Sequence, residues 1–232
     1  MNIVHIIGIH VSYVNTQEKQ SIRIMICKRR APTQVRSKEL VTSLLLTAKR
    51  LIGAKGYDAV SMREISKAAG ISASAIYQYF NDKDALLSEL VSHYYGLTFQ
   101  MTEGLAARAQ SLEDLEPLLD EAIRFIYSYF RQDSDLVAIW SAVLSTPSLT
   151  ALEVQDCMKN ADVIIHRIIE LRPRLQPETL RPLMMLMVHV LTVTVRLALF
   201  SDEPTAESLL TEFSALFAAR LHQLTAEMSV NQ

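Results

Sequence analysis

The sequence predicts an all-α protein, and three observations carry that reading. Apolar residues recur at i, i+4 and i+7/8 through long segments after residue 37, the rhythm of helices that bury one face. No sustained period-2 alternation and no Asn-Gly or Asp-Gly hairpin signal accompanies them. Punctuation is uneven: all six glycines lie in the first 104 residues, whereas every proline except Pro32 follows them. The 232 residues, half of them apolar and 21% charged, suffice for one or two domains with a core and are unlike a disordered chain.

Taken in order, residues 1–35 read as an N-terminal extension outside the folded domains: a disordered tail, or the consequence of a start at Met1 instead of Met25. Met1 to Val14 is apolar but has no basic stretch before it and no small-residue cleavage site after it. A helix is expected at 37–54 from Leu40, Leu44, Leu45, Ala48, Leu51 and Ile52, closed by Gly53 and Gly56. Ser61-x-x-Glu64 is a capping box for a short helix at 62–69. Gly70 supplies a left-handed turn position, and Ser72 caps a third helix at 73–79 with Ala75, Ile76 and Phe80 facing inward. Longer helices are expected at 83–102, 112–132, 134–145, 149–171, 181–200 and 205–227, with Pro117, Pro147, Pro173, Pro177, Pro182 and Pro204 near their starts or stops.

Charge separates the two parts. Residues 1–100 carry 13 Lys/Arg against 7 Asp/Glu, and 101–232 carry 10 against 18. One part is suited to a polyanion and the other is not. Two short helices joined by Gly-x-Ser fit a helix-turn-helix, whose second helix enters the DNA major groove.

The string Gly56-Tyr57, then Ser61-Met62-Arg63-Glu64-Ile65-Ser66-Lys67-Ala68-Ala69-Gly70-Ile71-Ser72, then Ala75-Ile76-Tyr77-Gln78-Tyr79-Phe80 and Lys83-Asp84-Ala85-Leu86-Leu87 resembles the tetracycline-repressor (TetR) family of transcriptional regulators. It departs from the family pattern at Ser66, usually Ala, and at Tyr79, often His. The resemblance implies a three-helix helix-turn-helix DNA-binding domain at 36–83. A larger helical domain for effector binding and dimerisation would follow at 84–232, about nine helices in all. It implies that Ser61, Tyr77 and Tyr79 bond DNA phosphates, that Lys83 pairs with a phosphate beside free backbone N–H groups, and that Tyr57 belongs to the core. Ala73 and Ser74 would meet base edges, with Gln78 reaching an adenine. Arg36 and Lys38, with Lys28, Arg29 and Arg30, would form an arm along or into the minor groove.

The second part is rich in large apolar residues, most of them core. By the resemblance a small-molecule effector binds there, and Tyr127, Trp140, Met184, His189 and Arg196 are its candidate contacts. His189 and Arg196 stand in the most apolar helix and need partners, for which Glu207 or Glu212 on the last helix is the alternative to an effector. The last two helices are apolar around more of their circumference than one chain needs, which suits a homodimer reading a palindromic operator.

No G-x-S-x-G, H-E-x-x-H or G-x-x-x-x-G-K occurs, and the six histidines lack ligand spacing, so neither catalysis, metal nor cofactor is expected. Cys27 and Cys157 form no disulfide framework, which suits a reducing cytoplasm, with Cys157 a buried, inert thiol. The competing reading is a helical protein-interaction or membrane-associated protein anchored through Leu183 to Phe200, without sequence-specific DNA binding.

Overall fold

A computed structural model describes residues 32–230, and among them there are nine α-helices and no strand. They are α1 (Pro32–Lys55), α2 (Met62–Ala68), α3 (Ala73–Ile76), α4 (Lys83–Arg108), α5 (Leu115–Gln132), α6 (Ser134–Ser145), α7 (Pro147–Leu171), α8 (Pro177–Leu199) and α9 (Glu203–Val230).

The short helices are cut by local chemistry. The α1 helix ends where Gly56, at φ 80°, donates to the Ile52 carbonyl (2.8 Å). Ser61 Oγ caps α2 by accepting from Glu64 N (3.2 Å). Gly70, at φ 72°, closes the turn to α3, where the Ile71 N–H reaches back to the Ser66 carbonyl (3.0 Å). Ser72 Oγ accepts from Ala75 N (3.1 Å), and Asp82 caps α4 through Ala85 N (2.7 Å). Leu44, Ala48, Ile52, Ile65, Ile76 and Leu86 are all at 0% exposure and form the small core that orients α2 and α3. Ser66 is buried in it, its hydroxyl satisfied by the Arg63 carbonyl (2.9 Å), so the larger residue brings no orphaned polar group.

The remaining helices form the second core. α7 packs between α4 and α8, α9 lies against α5 and α8, and α6 rests on α1. Two expectations need correction. Gly53 does not close α1, and Gly104 lies inside α4, which continues past the expected 102 to Arg108, because helical packing over its length outweighs the propensity cost of glycine, about 1 kcal/mol. Prolines also begin helices earlier than their neighbours suggest. Pro147 and Pro177 occupy the first helical position, where no N–H is needed, so α7 starts two residues before the expected 149 and α8 four before 181. Pro182 is carried inside α8.

Candidate functional site: a nucleic-acid interface and a buried cavity

The outer face of the α2–α3 pair is built from short polar side chains. Ser61, Ala73, Ser74, Tyr77 and Gln78 are exposed, Tyr77 at 53%, while Tyr79 is half-buried against the core. Ile76 and Phe80 point the other way and pin α3 to the core, which leaves Ala73, Ser74, Tyr77 and Gln78 free to meet a partner. Arg63 and Lys67, one turn apart on α2, are exposed as well. They were missed because each, taken singly, resembles any solvated basic residue, whereas their i, i+4 spacing is the signal. Lys55 bonds Glu64 (2.5 Å), and this, with a weaker bond from the Ser61 backbone, holds the Glu64 carboxyl below its usual range.

Lys83 has a structural duty. Its ammonium donates to the carbonyls of Tyr57 (2.7 Å) and Val60 (2.9 Å) and sits 4.0 Å from the centre of the Tyr57 ring. The Tyr57 hydroxyl in turn donates to Asp84, and burial with that neighbour raises its pKa. Lys83 therefore ties the loop before α2 to the start of α4, with one ammonium hydrogen left beyond these two bonds. The Arg36 side chain lies outside what the structure describes, as do Lys28, Arg29 and Arg30 altogether.

The second feature is a cavity of about 160 Å³ lined by α4 to α9. Its wall is mainly apolar, with Ile126 and Phe130 of α5, Leu136 and Trp140 of α6, Met184 and Met187 of α8 and Phe217 of α9. Trp140 packs on Phe130 at a ring separation of 4.3 Å. Of the expected effector contacts, Trp140 and Met184 line this space; Tyr127, His189 and Arg196 do not. The helical rotation explains the difference. On α8, Met184, Met187, Val188 and Leu191 turn inward, which swings His189 outward to Glu153 of α7 (3.2 Å). Arg196 lies beside Phe130, Trp140 and Leu199 at a cleft too narrow for a ligand. Glu207 is bonded instead by Arg124 (2.7 Å), and Tyr127 is half-buried against the core beside Arg131, outside the cavity. The pairing expected between Glu207 and the polar residues of α8 is thus replaced by an α5–α9 ion pair.

Polar wall residues that sequence reading passed over come from α4 and α7. Thr102 Oγ1 donates to Asn160 Oδ1 (2.7 Å), and Asn160 Nδ2 donates to Asp156 Oδ1 (3.0 Å). Burial pushes the Asp156 carboxyl up to about 7, with Glu153 adding to the rise and Asn160 and Lys159 opposing it. The Tyr95 hydroxyl beside them is fully buried and makes no hydrogen bond within the protein. Its pKa is raised by burial first and then by Glu153 and Asp156. The signal was present: Tyr95, Thr98 and Thr102 recur every three or four residues on α4, and Asp156 and Asn160 are one turn apart on α7. Cys157 adjoins this cluster, and burial raises its thiol to about 11, an unreactive state at neutral pH.

Cavity and helix-turn-helix meet through α1. Lys49, only 4% exposed, bonds Asp133 at the start of α6 and lies 5.8 Å from the ring centre of Tyr94, itself a cavity residue.

Residues 44–90 match the family described as bacterial regulatory proteins, tetR family, and residues 113–225 match the tetracyclin repressor-like C-terminal domain. YuxN, an HTH-type transcriptional regulator of Bacillus subtilis, is 29% identical over 122 residues, 53% of this chain and 40% of that protein. Matches to the curated relatives thus span about half their length or less. The structure of the fatty acid degradation regulator FadR from Bacillus halodurans superposes with a TM-score of 0.60 at 17% identity, covering 82% of this chain and 97% of that one. A TetR-family transcriptional regulator from Streptomyces coelicolor gives 0.60 at 18% identity, covering 80% and 99%. At these identities the structural likeness shows the fold.

Proposed function

Because this chain belongs to the tetR family of bacterial transcriptional regulators and is a DNA-binding regulator, we propose that it is a homodimeric cytoplasmic repressor, without catalytic activity, that a small molecule releases from a palindromic operator. The observation that carries the reading is the continuity of α4: it begins at Lys83 in the helix-turn-helix and passes Tyr95, Thr98 and Thr102 in the cavity wall. A molecule that fits the cavity better in one setting of α4 shifts the spacing of the two DNA heads by its differential binding alone. The division proposed is 36–83 for DNA and 84–232 for effector and dimer, with residues 1–35 as an extension.

In the DNA complex Ala73, Ser74 and Gln78 meet base edges, while Ser61, Tyr77, Tyr79, the remaining Lys83 hydrogen and Arg36 meet phosphates. Arg63 and Lys67 add to the positive field of that face.

Dimerisation rests on a stripe along α8. Leu186, Val190, Val193, Leu197 and Phe200 recur at spacings of four and three and are all exposed, Phe200 at 77%. The opposite face, including Leu180, Met184, Leu191 and Val195, is in the core. A second copy laying its own α8 and α9 on this stripe completes a four-helix bundle. By length and composition α8 could also cross a membrane, but its two faces are accounted for by the core and by the second copy.

The test is fluorescence anisotropy on the gene's own upstream intergenic DNA against scrambled DNA at two salt concentrations. The reading requires saturable preference for the intergenic fragment and a steep loss with salt, about 10³-fold or more between 50 and 200 mM for six or more phosphate contacts. Equal weak binding to both fragments counts against it.

A further inference from the structure

The chemistry of the cavity wall narrows what it can hold, given the effector reading above on which this inference rests. Besides tyrosines, the ionisable residues lining it are Glu116, Asp156 and Arg167. Arg167 is committed: Nε donates to the Ala109 carbonyl (2.8 Å) and Nη1 to Glu170 (2.7 Å). An anionic ligand would therefore face two carboxylates and a cation already in use. At the α4–α7 wall the balance is more lopsided. Asp156 stands with Glu153 behind it, and Glu153 is bonded to His189 at its outer side. Asn160 uses both Nδ2 hydrogens on Asp156, on its carbonyl (2.9 Å) and on Oδ1 (3.0 Å), and its own Oδ1 is taken by Thr102. That leaves Asp156 and the buried, unpartnered Tyr95 hydroxyl as hydrogen-bonding groups among the residues of this wall.

We propose that the cavity takes a small organic cation with an apolar body, its ammonium bonded to the Asp156 carboxylate and the Tyr95 hydroxyl oxygen while its body fills the space bounded by Phe130, Trp140 and Met184. The pieces fit together physically. A buried carboxyl whose pKa is raised mainly by desolvation, to about 7, is one that a cation returns to its charged state. A buried hydroxyl without a partner costs about 1–3 kcal/mol in the empty protein, and a ligand that meets it recovers that cost. The volume of about 160 Å³ matches a body of roughly one aromatic ring with a short chain.

Three probes with one body and different heads test this by calorimetry on the DNA-free protein: 4-phenylbutylamine, 4-phenylbutanol and 4-phenylbutyrate. The amine should bind about tenfold more tightly than the alcohol, and the butyrate more weakly than either. Asp156→Asn should bring amine and alcohol to equal affinity while changing the alcohol less than about threefold. Tyr95→Phe should weaken both. Butyrate binding as tightly as the amine, an undiminished amine preference in Asp156→Asn, or no heat from any of the three would overturn the proposal. The ranking on the unaltered protein decides even where a variant does not fold. Because operator binding is measured separately without probe, a failure here leaves the DNA reading standing, and a failure there does not alter this ranking.

Discussion

Gly53 of the DNA-binding helix α1 faces Asp135 of α6 in the second domain, and their geometry makes a prediction whose sign is testable. A Cβ at Gly53 would coincide with the Asp135 carboxylate and come within 2.8 Å of that residue's own Cβ. The obstruction is therefore the root of a side chain as well as its flexible end, and either α1 or α6 has to move. Two effects compete in Gly53→Ala. Alanine in a helix interior is favoured over glycine by about 1 kcal/mol. Overpacking of this kind costs about 1–3 kcal/mol. With the collision reaching Cβ, the upper part of that range applies, so the net expectation is destabilisation of about 1–2 kcal/mol. For a protein of this size that is a fall in Tm of about 2–8 °C, read by circular dichroism at fixed protein concentration. The control is the same substitution in an Asp135→Gly background, which removes Cβ as well as the carboxylate. With that collision relieved helix propensity dominates, and Gly53→Ala should there raise Tm by about 2–4 °C. If Gly53→Ala stabilises both backgrounds equally, α1 and α6 are not in contact as described and the argument fails.

Three further predictions concern other parts of the molecule. Lys83→Ala should weaken operator binding at least tenfold and also lower stability by about 1.5–3 kcal/mol, since two charged hydrogen bonds to the Tyr57 and Val60 carbonyls are lost; unchanged Tm with unchanged anisotropy would contradict both roles. Leu197→Glu places a charge within the exposed α8 stripe, and sedimentation velocity should show a monomer at micromolar concentration where the unaltered chain is expected to be a dimer. Asp156 sets a pH dependence: its carboxyl is raised from 3.8 to about 7 on folding, so its contribution is most favourable below about pH 4 and is lost as pH rises through 7. Asp156→Asn should accordingly raise Tm by several degrees at pH 8 and by clearly less at pH 4.5, and an equal gain at both would show that the carboxyl is not desolvated.

Much of the DNA-binding half was legible because its signals are local. Ser61, Gly70, Ser72 and Asp82 act on backbone groups within three or four residues, so their chemistry is the same in the sequence as in the folded chain. Ile76 and Phe80 could be assigned to the core because a short helix offers few ways to bury two large apolar side chains. The cavity was less legible. Trp140 and Met184 were found by being large and apolar, but the same criterion took in Tyr127, which the rotation of α5 leaves half-buried outside the cavity. The search for polar contacts went to His189 and Arg196, the polar residues inside the most apolar helix, whereas the polar wall is supplied by α4 and α7.

The sequence by itself determined that the chain is helical and where α2, α3 and α4 begin, because helix periodicity, caps and left-handed glycines are short-range physics. Tertiary structure alone decided that Lys83 spends two of its hydrogens inside the protein and that Lys49 bonds Asp133, 84 residues away. It alone decided that Tyr95 and Asp156 share one cavity wall, with the Tyr95 hydroxyl buried and without a partner. Such pairings depend on how long helices rotate about their axes when they pack. A rotation of one residue, about 100°, carries an inward side chain to the flank of its helix, and local sequence carries no term that sets it.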